Sequence, residues 1–314
     1  MIGQTQIGAD GIIRDKVQMA IDRLKAFEPP EGYYVAFSGG KDSQCVHHLC
    51  KMAGVKFDAH YNVTSVDPPE LIRFIKKNYP DVHWEWPRDR NGKVVTMWNL
   101  IPRKGMPPTR IQRYCCKYFK ESSGKGRVTV TGVRWAESAN RAKNQGMVSL
   151  IGKPKTTQKM ADQIGLGYKL NRHGSVILND DNDEARRMVE LCYRTRKTLV
   201  NPIIDWEEED VWEFLNSNGI EHCCLYDQGM RRIGCIGCPM STAAAEELER
   251  YPKYKQNYIR AFDRMLTEYM KKGASYKLSW ETGDDVMRWW LKQDEETDEA
   301  LEKLEDEMYI DLQD

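Results

Sequence analysis

Apolar residues in the 12–27 segment fall at Ile13, Val17, Ile21 and Leu24, a spacing of three to four that predicts an amphipathic helix, stopped by Pro29 and Pro30. The pattern then shortens to a run of mostly apolar residues at 33–37, read as a strand, followed by a turn over 38–43. A second helix runs through Val46, Leu49 and Met52 and closes at Gly54. A second strand is predicted over 56–64, a proline-started helix over 68–80 and a third strand over 82–87. The β-branched alternation of "RVTVTGVRW", 127–135, gives a fourth. Strands alternating with helices predict an α/β fold with a doubly wound parallel sheet, whose ligand site lies at the carboxyl ends of the strands.

Beyond residue 143 the periodicity weakens. A basic, glycine-bearing stretch precedes an acid-started helix near 179–197, and 143–200 reads as a lid or insertion inside a domain spanning 1–240. Residues 205–219 form an amphipathic helix with Val211, Trp212 and Leu215 inward and Gly219 as its stop. Helices over 244–272 and 280–292 make a C-terminal helical extension, 241–314, ending in an acidic, solvated tail from Asp294.

Composition narrows the classes. Lysine plus arginine and aspartate plus glutamate both number 47, so whole-chain charge gives no argument for a polyanionic partner. A local basic patch remains: Lys143, Lys153, Lys155, Lys159, Lys169 and Arg172 could meet a nucleic-acid backbone or form a solvated loop. The chain lacks the long apolar run of a membrane span and begins without the apolar core of a secretory signal, so a cytoplasmic protein without membrane partners is expected. In that compartment nine cysteines point to metal binding or thiol chemistry before disulfides.

The strongest local signal is "SGGKDS", Ser38 to Ser43, directly after the first predicted α/β strand. Gly39 and Gly40 let backbone amides face an anion, and the next helix offers its positive end. Lys41 adds a point charge, Ser38 and Ser43 add hydroxyl donors, and Asp42 could orient a magnesium ion or a partner amide. The spacing is neither that of a Walker A loop nor that of the dinucleotide fingerprint.

A second signal is a set of four cysteines: Cys115 and Cys116 in "RYCCKYFK", Cys235 and Cys238 in "IGCIGCPMS". Four thiolates can close a tetrahedral zinc site or an iron–sulfur cluster. Adjacent cysteines crowd a single zinc ion, whereas a cubane can use them on different irons.

"SGGKDS" resembles the signature of the PP-loop superfamily of adenine-nucleotide enzymes. The adjacent cysteines followed far downstream by "GCIGCP" resemble the [4Fe–4S] pattern of the phosphoadenosine phosphosulfate (PAPS) reductase-like family. "TGVRWAESANRA", "NPIIDWEEEDVWEFL" and "LYDQGMRRIGC" resemble other stretches of that family, so the likeness covers roughly 30–245. It implies that Ser38, Gly39, Gly40, Lys41, Asp42 and Ser43 cradle phosphate, with Gly132, Arg134 and Arg141 along the nucleotide. Lys41, Asp42, Arg134 and Arg141 would be the catalytic set, with Glu137 orienting the arginines. Cys115, Cys116, Cys235 and Cys238 would hold a [4Fe–4S] cluster, with Mg2+ accompanying ATP.

The reductases of this family use a cysteine nucleophile near the C-terminus, and no cysteine follows Cys238 here. The resemblance is therefore nearest in type to the ATP-pyrophosphatase and sulfurtransferase members, such as the DNA-phosphorothioation component. It implies α–β cleavage of ATP coupled to sulfur transfer from a donor protein, with nucleic acid one acceptor the pattern admits and a homodimer one assembly. The alternative is a reductase acting on PAPS or adenylyl sulfate (APS) with a thiol reductant, using Cys192 or Cys223; a non-catalytic nucleotide sensor is a third reading.

Overall fold

The computed structural model describes residues 5–7, 13–151, 154–180, 182–192, 197–271 and 280–292. In chain order, β1 (Thr5–Ile7) and β2 (Ile13–Asp15) make a small antiparallel pair. Then come α1 (Lys16–Ala26), β3 (Tyr33–Ala36), α2 (Lys41–Ala53), β4 (Phe57–Asn62), α3 (Pro69–Asn78) and β5 (His83–Glu85). Next are α4 (Met97–Lys104), α5 (Tyr114–Phe119), β6 (Val128–Val130), α6 (Ala139–Asn144), β7 (Val148–Ile151) and α7 (Pro154–Ile164). They are followed by β8 (Lys169–Leu170), β9 (Val176–Leu178), α8 (Asp183–Cys192), β10 (Lys197–Val200) and α9 (Glu208–Ser217). The chain continues through α10 (Ala244–Arg250), α11 (Pro252–Lys271) and α12 (Gly283–Leu291).

The chain separates into two compact units, and each is made of several segments. The first comprises 1–62, 70–85 and 123–232; the second comprises 63–69, 86–122 and 233–314. This division differs from the expected boundary at 240, because two earlier stretches belong with the C-terminal helices.

The first unit is built on an eight-stranded sheet in the order β5-β4-β3-β6-β10-β7-β9-β8. β5, β4, β3, β6 and β10 are mutually parallel, so the predicted α/β architecture holds. β7, β9 and β8 extend it antiparallel. The 143–200 stretch is thus sheet edge as well as connection, not a lid alone. Its strands are two to four residues long, too short to show a period. Strand order reverses at β3, which lies between β4 and β6. In open α/β sheets such a reversal leaves a crevice at the carboxyl ends of the strands. Leu24, Tyr33, Val35, Leu49, Phe214 and Trp206 are buried in this unit, each worth roughly 1.5–3 kcal/mol against exposure.

The second unit is helical. α11 packs against α4 and α12, and Leu100, Ile101, Tyr258, Phe262, Met265 and Trp290 form its core. Trp290 is buried and donates its indole N–H to the carbonyl of Pro108 at 2.6 Å, while Trp289 is half-buried against the same core. Pro252 starts α11 and separates it from α10. The acidic stretch from Asp294 lies outside the described residues, as does the structure at Lys153. No described helix is long and apolar enough to cross a membrane.

Candidate functional sites: a glycine loop and a four-thiol cluster

The 38–43 turn joins β3 to the N-terminus of α2, at the sheet's point of reversal. It is closed by its own side chains. The Ser38 amide and hydroxyl both meet the Ser43 hydroxyl at 3.2 Å, and that hydroxyl donates to the Gly40 carbonyl at 2.8 Å. Gly39 has φ of +76°, and a Cβ there would come within 2.7 Å of Ile75. Only glycine meets both conditions without strain. The Lys41 amide donates to the Tyr226 hydroxyl at 2.9 Å, so a phenol oxygen caps the first turn of α2.

Around this turn stand two cations and two carboxylates. Lys41 is buried, with its ammonium 3.3 Å from Glu208, 3.7 Å from Asp42 and 3.2 Å from the carbonyl of Arg231. Arg134 is also buried: Nε donates to Asp42 at 2.6 Å, one terminal nitrogen to Glu208 at 2.8 Å and the other to the Trp206 carbonyl at 3.2 Å. Burial opposes charge on Arg134, but Asp42 and Glu208 outweigh it and raise its pKa. Burial likewise works against the Glu208 carboxylate, while Lys41 and Arg134 hold it below the usual range. The Trp212 indole also donates to Glu208, at 3.2 Å.

Each guanidinium nitrogen makes one bond inside the protein, so Arg134 braces Asp42 and Glu208. Gly132 allows the close approach, since a Cβ there would lie 2.9 Å from the Asp42 backbone. Arg141 stands one step further out, half-exposed and paired with Glu137, whose carboxylate also accepts the Arg134 amide at 3.1 Å. Ser38, Gly39, Gly40, Lys41, Asp42, Ser43, Gly132 and Arg134 therefore come together, and Arg141 joins them through Glu137.

Glu208 and Tyr226 complete the site and were not singled out from sequence. Glu208 stood in an acidic run, "DWEEED", where any of five carboxylates could have been the inward one. Tyr226 had no local signal beyond its place in "LYDQGM".

The second site lies in the helical unit. Cys115 and Cys116 sit on α5, and Cys235 and Cys238 on a tight loop where the Cys238 amide donates to the Cys235 carbonyl at 3.2 Å. The Ile236 amide bonds the Val66 carbonyl at 2.8 Å, and the buried Tyr258 hydroxyl donates to the Ile236 carbonyl at 3.0 Å. Cys115 shares a hydrogen bond with Cys116, which pushes Cys115 up and draws Cys116 down to about 5, helped by Arg113 and Lys120. An Arg113 nitrogen lies 3.6 Å from the Cys116 sulfur. Burial pushes the Cys235 thiol up to about 12, against the pull of Lys120. The charges of Cys235, Asp67, Cys116 and Cys238 in turn raise the pKa of Lys120.

The four thiols are unbridged and feel one another's charge, with Arg113 and Lys120 beside them. Among the described residues, no group of three or more His, Cys, Asp or Glu side chains is arranged to hold a metal ion.

The remaining candidates fall elsewhere. Cys45 and Cys50 are fully buried core thiols raised by burial, and Cys223 is buried and pushed up to about 11. Cys224 is exposed, and the Cys192 side chain lies outside the described residues. His60 sits between Asp58 and Glu85, with its Nδ1 2.8 Å from Glu85, and stacks on Tyr34. His47 is buried among aromatic rings beside His48.

Comparison with known proteins bears on residues 32–241, which match the family model described as the phosphoadenosine phosphosulfate reductase domain. An uncharacterised protein of Methanocaldococcus jannaschii is 26% identical over 241 residues, 73% of this chain and 47% of that protein. The chain thus spans about half the length of that relative. An adenosine 5′-phosphosulfate reductase of Neisseria meningitidis is 42% identical over 48 residues, 15% of this chain and 20% of that protein. The crystal structure of a phosphoadenylyl-sulfate reductase from Candida auris, in complex with phosphate, is similar with a TM-score of 0.39 and 10% identity, covering 74% of this chain and 98% of that one.

Proposed function

Because the chain belongs to the phosphoadenosine phosphosulfate reductase domain family, we propose that its glycine loop binds ATP and cleaves it between the α and β phosphates, activating an acceptor for sulfur transfer. The observation that carries this reading is the charge around the loop. Lys41 and Arg134 are balanced by Asp42 and Glu208. A ring that is neutral by itself suits a polyphosphate arriving with a divalent cation, because magnesium takes one or two protein carboxylates and completes its shell with phosphates and water. Asp42 and Glu208 would hold that magnesium.

The chain's own groups then divide the work. The Gly39 and Gly40 amides and the Ser38 and Ser43 hydroxyls take the β and γ phosphates at the start of α2. Lys41 turns from Glu208 to the phosphate oxygens, and Arg134 keeps Asp42 and Glu208 fixed while it does so. An acceptor oxygen attacks the α phosphorus, the bond to the bridging oxygen breaks, pyrophosphate leaves onto the loop, and the acceptor's proton passes to solvent. The terminal sulfur of a persulfide-bearing donor then displaces AMP from the adenylylated acceptor, and a second thiol of the donor cleaves the resulting acceptor–donor disulfide, leaving the thiolated acceptor and an oxidised donor. Cys115, Cys116, Cys235 and Cys238 would hold a [4Fe–4S] cluster, which when bound supplies structural and electrostatic support.

A second reading is favoured by the local likeness to the Neisseria meningitidis enzyme. Here the same loop takes a sulfonucleotide, and a thiol reductant releases sulfite and AMP or its 3′-phosphate.

Anaerobic calorimetry with ATP, adenylyl sulfate and its 3′-phosphorylated form, each with magnesium, separates the two. Tighter binding of ATP, with pyrophosphate release on adding acceptor, is expected. Preference for a sulfonucleotide would replace the first reading with the second.

A further inference from the structure

The helical unit carries a surface cavity of about 520 Å³ lined by Trp98, Asn257, Arg260, Asp263 and Arg264. That volume lies inside the ~300–1,000 Å³ range of small-ligand pockets. Its floor is aromatic: Trp98 is half-buried, backed edge-on by Tyr258 at 5.0 Å and by Tyr254 at 6.3 Å, and lends its remaining indole surface to the cavity. Its wall is one side of α11, where Lys253, Asn257, Arg260 and Arg264 fall at helical spacing on a single face. Lys253, Arg260 and Arg264 are exposed, and none of the three has an ion-pair partner among the described residues. Arg264 donates to the Trp98 carbonyl at 2.5 Å, tying α11 to the indole's own backbone. Asp263 is the one carboxylate of the lining, and it accepts the Gly283 amide at 2.6 Å at the start of α12.

We propose that this groove binds single-stranded nucleic acid, with a base stacked on Trp98 and the flanking phosphates on Arg260 and Arg264. An indole beside exposed cations matches the two halves of a nucleotide, since every base has a stacking face and every linkage a negative charge. Arginine suits both, because its planar fork meets phosphate oxygens and lies flat on a base. Asn257 supplies an amide for a base edge. The proposal deepens the sulfur-transfer reading by naming the acceptor's class, and rests on that reading only for the word acceptor; binding itself stands apart from it.

The test is fluorescence anisotropy on the full chain, titrated into labelled 12-mers of oligo(dT), oligo(U) and duplex DNA at two salt concentrations. The single strands are expected to bind with salt-dependent affinity, and duplex more weakly. Trp98→Ala should weaken binding ~10-fold and Trp98→Phe far less. Arg260→Glu, at an exposed position, should weaken it and reduce the salt slope by about 0.7 or more. ATP binding should be unchanged in all three variants, so failure of the loop reading and failure of the groove are seen separately. No binding at low salt, equal binding of duplex, or loss in Arg260→Glu with none in Trp98→Ala would each overturn the proposal. Competition by free AMP as strong as by the oligonucleotide would overturn it too, making the groove a mononucleotide site.

Discussion

The glycine loop after β3 and the cysteine loop at 235–238 are both tight turns suited to negative charge, yet they are assembled in different ways. The first closes on itself: Ser38, Gly40 and Ser43 bond one another within six residues. The second gathers two segments far apart in sequence, and its backbone is pinned by Val66 and Tyr258 from still other places. A locally closed turn keeps its shape when distant residues change. A gathered site keeps its shape only while the surrounding core holds it. The cluster proposed there would therefore contribute folding energy, far more than a ligand on the locally closed loop.

The largest effect that would break this contrast is loss of the thiol site. Cys235→Ser with Cys238→Ser should remove all iron and acid-labile sulfide from anaerobically purified protein while ATP binding at the loop is unchanged. Retained iron would show that other ligands hold it. Next comes Arg134→Ala, which removes a buried guanidinium and leaves Asp42 and Glu208 to Lys41. Breaking such a network should cost about 3–5 kcal/mol in chemical denaturation. A loss below about 1 kcal/mol would mean the brace is only a surface ion pair.

A smaller effect follows from His47, buried on α2 behind the loop. Burial, with Lys51 and His48 beside it, draws its pKa down to about 3. The unfolded chain takes up this proton near pH 6.5 and the folded chain only near 3. Its share of stability is thus complete above about pH 6.5 and is lost as pH falls through that window, roughly 2 kcal/mol by pH 5. Urea midpoints at pH 7 and pH 5 measure it, and His47→Phe should flatten the difference. The smallest expected change is Tyr226→Phe, which removes the acceptor for the Lys41 amide and should cost about 1 kcal/mol. The same variant should weaken ATP binding several-fold in calorimetry, and unchanged binding would mean the cap serves stability alone.

What could be read from the sequence follows the same line between local and gathered structure. The 38–43 turn, the helix behind it and the alternation of strands and helices were legible because their signals are contiguous. The brace was not. Arg134 finds its partners 92, 74 and 72 residues away, and no spacing rule reaches that far. It could be picked out as an arginine near the nucleotide, but not as one that braces Asp42 and Glu208. The sheet's antiparallel edge was hidden for another reason: β8 and β9 have two and three residues, and register, not periodicity, makes them strands. The four cysteines were visible as types at a spacing, while Lys120 and Asp67 around them needed the fold.

The chain changes unit at 62/63, 69/70, 85/86, 122/123 and 232/233. Neither unit is a continuous stretch, so no truncation yields one without the other, and a fragment ending near 232 would lack only part of the helical unit while exposing what remains of it. Many of its contacts also join residues distant in sequence, which predicts slow folding relative to a helical bundle of similar size. The helical unit is carried as excursions out of the first unit, after β4 at 62/63 and after β5 at 85/86, so it cannot be exchanged as one cassette.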